Sequence, residues 1–134
     1  MCEARRVLVV EDMPAVRQLL VLTLAEEGYT VHTAVHGADA LRLLETLAPC
    51  LILLDLRMPV MDGAAFARAY HRRPDADAHL VVLTAEGRAE QIRAIGPAAV
   101  VRKLFDLDRL LEVVARWVAA HRPPADEAAT PGPR

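Results

Sequence analysis

The sequence predicts an α/β domain built on a parallel, doubly wound sheet, and three observations predict it. Five short apolar runs rich in β-formers alternate with stretches of helical periodicity, the connections between them are short, and 134 residues make one domain's worth of chain. A content of 54% hydrophobic and 25% charged residues is ordinary for a globular protein and excludes disorder over most of the length.

The first strand is expected at Arg6–Val10. A helix follows over about Pro14–Glu27, with proline in its first turn, Gly28 as its stop, and Val16, Leu19, Leu20 and Leu24 as its core face. Tyr29–Ala34 alternates as a second strand, and Ala38–Leu47 is a helix carrying Leu41, Leu44 and Leu47. After Pro49, Cys50–Leu54 is a continuous apolar run, as in a strand buried on both faces of a parallel sheet. The loop DLRMPVMDG leads to a helix over Ala64–His71. His79–Leu83, Arg88–Ile95, Ala98–Arg102 and Leu107–His121 complete the alternation as strand, helix, strand and helix. The domain is expected to cover residues 5–121. Residues 122–134, with four prolines and a glycine, read as a disordered tail or linker.

Several classes are excluded as expectations. A net charge of −2 gives no basic excess for nucleic-acid phosphates or anionic lipid. The longest apolar run is five residues, and Val7–Val10 is followed at once by Glu11 and Asp12, so neither a membrane span nor a secretory signal is expected and the cytoplasm is the default compartment. Cys2 and Cys50 have no metal-site spacing and are expected to be thiols. Lys103 is the single lysine against fifteen arginines, which singles it out as a candidate phosphate contact.

In a doubly wound sheet, ligands bind beyond the carboxyl ends of the strands. Glu11 and Asp12 follow the first strand, Asp55 the third, Thr84 the fourth and Lys103 the fifth. Three carboxylates gathered there repel one another, and either a proton or a divalent cation relieves the repulsion. Hard oxygen ligands favour magnesium, which typically keeps waters and fills its shell with phosphate oxygens. With a hydroxyl and an ammonium beside it, the set suits phosphoryl transfer, and Asp55 is the best-placed carboxylate nucleophile. Taken singly, each residue also reads blandly: a helix cap, a turn acid, a strand hydroxyl, a surface charge.

The pieces VLVVEDMPAVRQLL, LILLDLRMPVMDG, VVLTAEG and the Lys103 region with Phe105 resemble the receiver domain of bacterial two-component response regulators, over about Val7–His121. Pro59, Asp62 and Gly63 fit the loop after that family's phosphoacceptor. The resemblance implies a flavodoxin-like, five-stranded sheet of order 2-1-3-4-5 flanked by five helices. It implies that Asp55 accepts a phosphoryl group from a histidine kinase or phosphotransfer protein, with Mg2+ held by Asp12, Asp55, the backbone carbonyl of Arg57 and, through water, Glu11. Thr84 and Lys103 would contact phosphoryl oxygens. The only catalysis implied is on the chain itself. An aspartate-nucleophile phosphatase fits poorly, since Arg57 stands where such enzymes place a second acid.

Three positions depart from the family pattern. Leu104 follows the lysine where proline is usual, and a non-proline cis bond costs about 2.5–4 kcal/mol, so a trans bond is expected. Val100 stands where an aromatic commonly couples to the threonine. Arg57 and Glu86 occupy the positions two residues past Asp55 and Thr84, where the family tunes dephosphorylation. The rival reading is therefore a receiver-like adaptor or dimerisation module that does not switch. In the last helix, Leu107, Leu111, Val114 and Val118 make a core stripe that Leu110, Val113 and Trp117 widen. With Val100, these three form the candidate output surface of helix four, strand five and helix five, for an unknown downstream protein or a second copy. Trp117 folding down over the sheet edge is the plainer alternative.

Overall fold

The computed structural model describes residues 5–57, 61–84, 89–102 and 107–120. Strands β1 (Arg6–Val10), β2 (Thr30–Ala34), β3 (Leu51–Asp55), β4 (His79–Thr84) and β5 (Ala99–Arg102) alternate with helices α1 (Pro14–Glu26), α2 (Gly37–Leu43), α3 (Gly63–His71), α4 (Ala89–Ile95) and α5 (Leu107–Ala120). All pairings are parallel and the sheet order is β2-β1-β3-β4-β5. β1 and β3 are thus neighbours, and their carboxyl ends lie side by side.

Strand alternation divides the interior in two. Leu8, Val10, Ile52, Leu54, Leu80 and Val82 face one side, where they pack with Ala40, Leu44, Phe66, Ala67, Tyr70 and Ile95 from the α2, α3 and α4 side. Val7, Val9, Leu51, Leu53, Val81 and Leu83 face the other, under Leu20 and Leu24 of α1 and Leu110, Val113 and Val114 of α5. All of β3 is buried, which is why its sequence is an unbroken apolar run ending in an acid.

Element boundaries depart from expectation mainly at α2. It ends at Leu43, and the chain goes on through i→i+3 bonds from the Glu45 amide to Arg42 O (3.2 Å) and the Thr46 amide to Leu43 O (3.1 Å). Gly28 does stop α1, with φ +91°. Arg5 supplies a cation at that helix end, donating to Gly28 O (3.3 Å) and Glu27 O while lying over the Tyr29 ring at 4.3 Å.

Two helix faces need correction. Leu19, expected in the core, is 44% exposed, and Leu22 is 56% exposed, because only Leu20 and Leu24 of α1 reach the sheet fully. In α5, Leu110, Val113 and Val114 are the buried centre of the stripe, and Leu107, Leu111, Trp117 and Val118 pack around them. Leu110 and Val113 therefore belong to the interior and offer no output surface. Trp117 is half-buried against the α1 and α5 side of the core, with its ring on that of His79 at the start of β4 (centroids 4.9 Å). Cys50 is disulfide-bonded, contrary to the expected thiol, and Cys2 lies outside the described residues.

Tyr70 stacks on Phe66 and accepts a hydrogen bond from the Ala78 amide (2.9 Å). Burial, reinforced by Asp77 and Asp75, holds its phenol above the ordinary value of 10.0, although the Ala78 bond pulls the other way. The native state then keeps this proton more tightly than the unfolded chain. That contribution to stability is complete below about pH 10 and is lost as pH rises through the raised native value. Tyr70→Phe is expected to cost about 1 kcal/mol at neutral pH, by leaving the Ala78 amide without its acceptor, and to flatten the alkaline loss. Urea unfolding of both proteins at neutral pH and above pH 10 checks it, and an unchanged alkaline slope would refute the assignment.

Candidate functional site

The site is built from the ends of β1, β3 and β4. The Glu11 amide still pairs across to Ala34 O (3.0 Å), so the backbone leaves β1 at a fixed angle. Glu11 is wholly buried and its Oε2 accepts from the Met13 amide (3.1 Å). Asp12 is half-buried, and Asp55, at the end of β3, is 3% exposed and accepts from the Arg57 amide through Oδ1 (3.3 Å). One oxygen from each of Glu11, Asp12 and Asp55 lies within 4.8 Å of the others. Thr84 is buried at the end of β4, one residue past Leu83, the register partner of Asp55.

The loop after β3 is anchored from the far side. The Gly63 amide donates to Leu56 O (3.1 Å), and Asp62 caps α3 by accepting from the Ala65 amide (2.9 Å). Gly63 lies so close that a Cβ there would fall 2.9 Å from the Asp55 carbonyl oxygen.

Carboxylates are almost never fully buried unless paired or ligating. Two unit charges 4.8 Å apart repel by about 3–4 kcal/mol at an effective dielectric near 20. A hard divalent cation satisfies such a trio, and oxygen-only donors fit magnesium better than a softer metal. The residues present fit the ion.

Of the residues expected at the site, Glu11, Asp12 and Asp55 converge and Thr84 stands beside them. The Arg57 side chain is exposed, and only its amide is seen to touch Asp55. Lys103, Leu104, Glu86 and Pro59 lie outside the described residues. Val100 is half-buried and packs into the interior on the α2–α4 side. Sequence reasoning missed Arg17, whose Nη1 donates to Glu11 O (3.0 Å) and Asp12 O (3.3 Å). The one available signal was a cation in the first turns of a helix, where the macrodipole disfavours it.

Residues 7–115 match the family model for the response regulator receiver domain. The chain belongs to that family. It is similar to sporulation initiation phosphotransferase F of Bacillus subtilis, 28% identical over 84% of this chain and 93% of that protein. The regulatory protein AtoC of Escherichia coli is 34% identical over 87% of this chain, but the match spans only 26% of AtoC's length. Among solved structures, the receiver domain of a Pseudomonas aeruginosa sensor histidine kinase, with magnesium coordinated in its active-site cleft, superposes with a TM-score of 0.81. It is 27% identical and covers 87% of this chain and 99% of its own.

The fold is that of a receiver in two-component systems, as the strand order from the sequence resemblance required. Receiver domains are phosphoacceptors that bind Mg2+ at an acidic site and interact with histidine kinases or phosphotransfer proteins. In this receiver the acidic site is Glu11, Asp12 and Asp55. Among the described residues, no helix is long and apolar enough to cross a membrane.

Proposed function

We propose that this receiver takes a phosphoryl group onto Asp55 from a phosphohistidine of a kinase or phosphotransfer protein in the cytoplasm. The observation that carries this is the convergence of a buried Asp55 with Glu11 and Asp12 within 4.8 Å at the sheet's carboxyl edge. An Asp55 carboxylate oxygen attacks phosphorus in line, the P–N bond to the donor imidazole breaks, and the imidazole leaves with a proton. Magnesium, when bound, neutralises charge on the phosphoryl oxygens. Asp12, Asp55 and the Arg57 carbonyl would hold it directly, and Glu11 through water. Thr84 and Lys103 would take the remaining phosphoryl oxygens. Turnover of an external substrate forms no part of this reading.

Met13 (52% exposed) at the N-cap of α1, beside the site, and Leu19 and Leu22 on the outer side of α1 are exposed apolar groups that a donor protein can cover. No basic excess favours nucleic acid as a direct partner. Output through α4, β5 and α5, to a downstream protein or a second copy, would rest on exposed groups such as Arg102, Glu112 and Arg116, since Leu110 and Val113 are interior. One observation favours the rival, non-switching adaptor: Val100 already packs inward, with no aromatic ring to move.

Intact-protein mass measurement after incubation with acetyl phosphate tests the chemistry. One phosphoryl group is expected with magnesium, and none without magnesium or in Asp55→Ala. A wild type that gains nothing in magnesium would leave the adaptor reading standing.

A further inference from the structure

We infer that Arg17 is a positioning residue for the metal site, fixing the Glu11–Asp12 turn so that both carboxylates face Asp55; this rests on the magnesium reading above. Its Nη1 is shared between the carbonyl oxygens of Glu11 (3.0 Å) and Asp12 (3.3 Å). The Glu11 amide is already bonded to Ala34 O (3.0 Å), so Glu11 is held on both sides of its Cα. The Met13 amide in turn holds the Glu11 carboxylate through Oε2 (3.1 Å). With both carbonyls drawn toward α1, the peptide planes on either side of Asp12 have little freedom left. The Asp12 side chain is the one part of the turn that stays half-exposed.

The placement of this cation argues for the role. Arg17 is the fourth residue of α1, where a positive charge opposes the helix dipole. α1 has no side-chain cap at Met13 and no acid in its first turn, so the helix itself gains nothing from an arginine there. A cation behind three carboxylates also repels an incoming Mg2+. The cation is attracted to the carboxylates of the metal-free site, but for binding Mg2+ its charge counts against the ion, and what it supplies to the bound state is the pair of carbonyl bonds. Groups that orient metal ligands from behind typically change metal affinity by about 10–100-fold when lost.

Positioning and charge predict opposite signs, which makes the test decisive. Arg17→Met keeps the length of the stem and removes both the charge and the donors. Electrostatics alone predicts tighter Mg2+ binding in this variant, whereas loss of positioning predicts binding weaker by about tenfold. Arg17→Lys keeps the charge and a single donor group, and is expected to restore part of the affinity. Calorimetric Mg2+ titration of wild type, Arg17→Met and Arg17→Lys reads this directly, with thermal unfolding in metal-free buffer confirming that each variant is folded at the titration temperature. Mg2+ affinity in Arg17→Met equal to or above that of wild type would overturn the proposal. A wild type that binds no Mg2+ would overturn the metal reading and the proposal together.

Discussion

In magnesium-free buffer, Asp55→Asn is expected to make this receiver more stable by about 2 kcal/mol while abolishing phosphoryl uptake. Asp55 and Glu11 are buried, and with Asp12 they hold three carboxylate oxygens within 4.8 Å. Each ionised pair contributes repulsion of about 3–4 kcal/mol at an effective dielectric near 20, and water reaching the half-exposed Asp12 reduces the sum. Asparagine removes the charge common to two of the three pairs. Its side-chain oxygen can still accept from the Arg57 amide, so that donor keeps its acceptor. Adding magnesium reverses the ranking: the wild type gains stability by mass action, and the variant, having lost a ligand, gains little. Urea unfolding of both proteins with and without Mg2+ measures all four states. If Asp55→Asn is no more stable than wild type without the metal, the trio is not under the strain its geometry implies. The functional site would then be held at the expense of stability in some other way.

The chemistry of the site was more legible in the sequence than its mechanical support. Strand periodicity and an acid after each of two neighbouring strands sufficed to bring Glu11, Asp12 and Asp55 together, because a parallel sheet aligns the ends of its strands. Helix faces were less legible. In α1, apolar residues occur all round, so periodicity cannot choose between Leu19, which is exposed, and Leu20, which is buried. In α5 the apolar arc was found but its centre was misplaced by part of a turn, and that sent Leu110 and Val113 to the surface instead of the core. Arg17 was silent for a different reason. It acts on main-chain carbonyls, which every residue has, so beyond its unfavourable place near the start of a helix no pattern of side-chain types betrays it. Cys50 was misjudged because two cysteines far apart in sequence carry no spacing signal.

Two glycines, each at the first position of a helix, should part company on substitution by alanine. Gly37 opens α2 and Gly63 opens α3. Neither has a positive φ, so helix propensity alone predicts that alanine stabilises both by up to about 1 kcal/mol. The three atoms nearest a Cβ at Gly37 would all belong to the Met61 side chain, Cγ and Sδ at 2.9 Å and Cβ at 3.1 Å, and a flexible thioether can withdraw. A Cβ at Gly63 would lie 2.9 Å from both the Asp55 carbonyl oxygen and the Leu56 Cα, and 2.8 Å from Leu56 Cδ2. Backbone at the end of a wholly buried strand has nowhere to go. Relief requires α3 to lift away, breaking the bond from the Gly63 amide to Leu56 O, or β3 to shift and carry Asp55 with it. Gly63→Ala is therefore expected to cost about 2–4 kcal/mol and to weaken magnesium binding, while Gly37→Ala stays within about 1 kcal/mol of wild type with its metal site intact. Denaturant unfolding with Mg2+ titration of both variants decides it. A stabilised Gly63→Ala would mean that helix propensity governs this turn and that the close approach of α3 to Asp55 does not hold the phosphoacceptor in place.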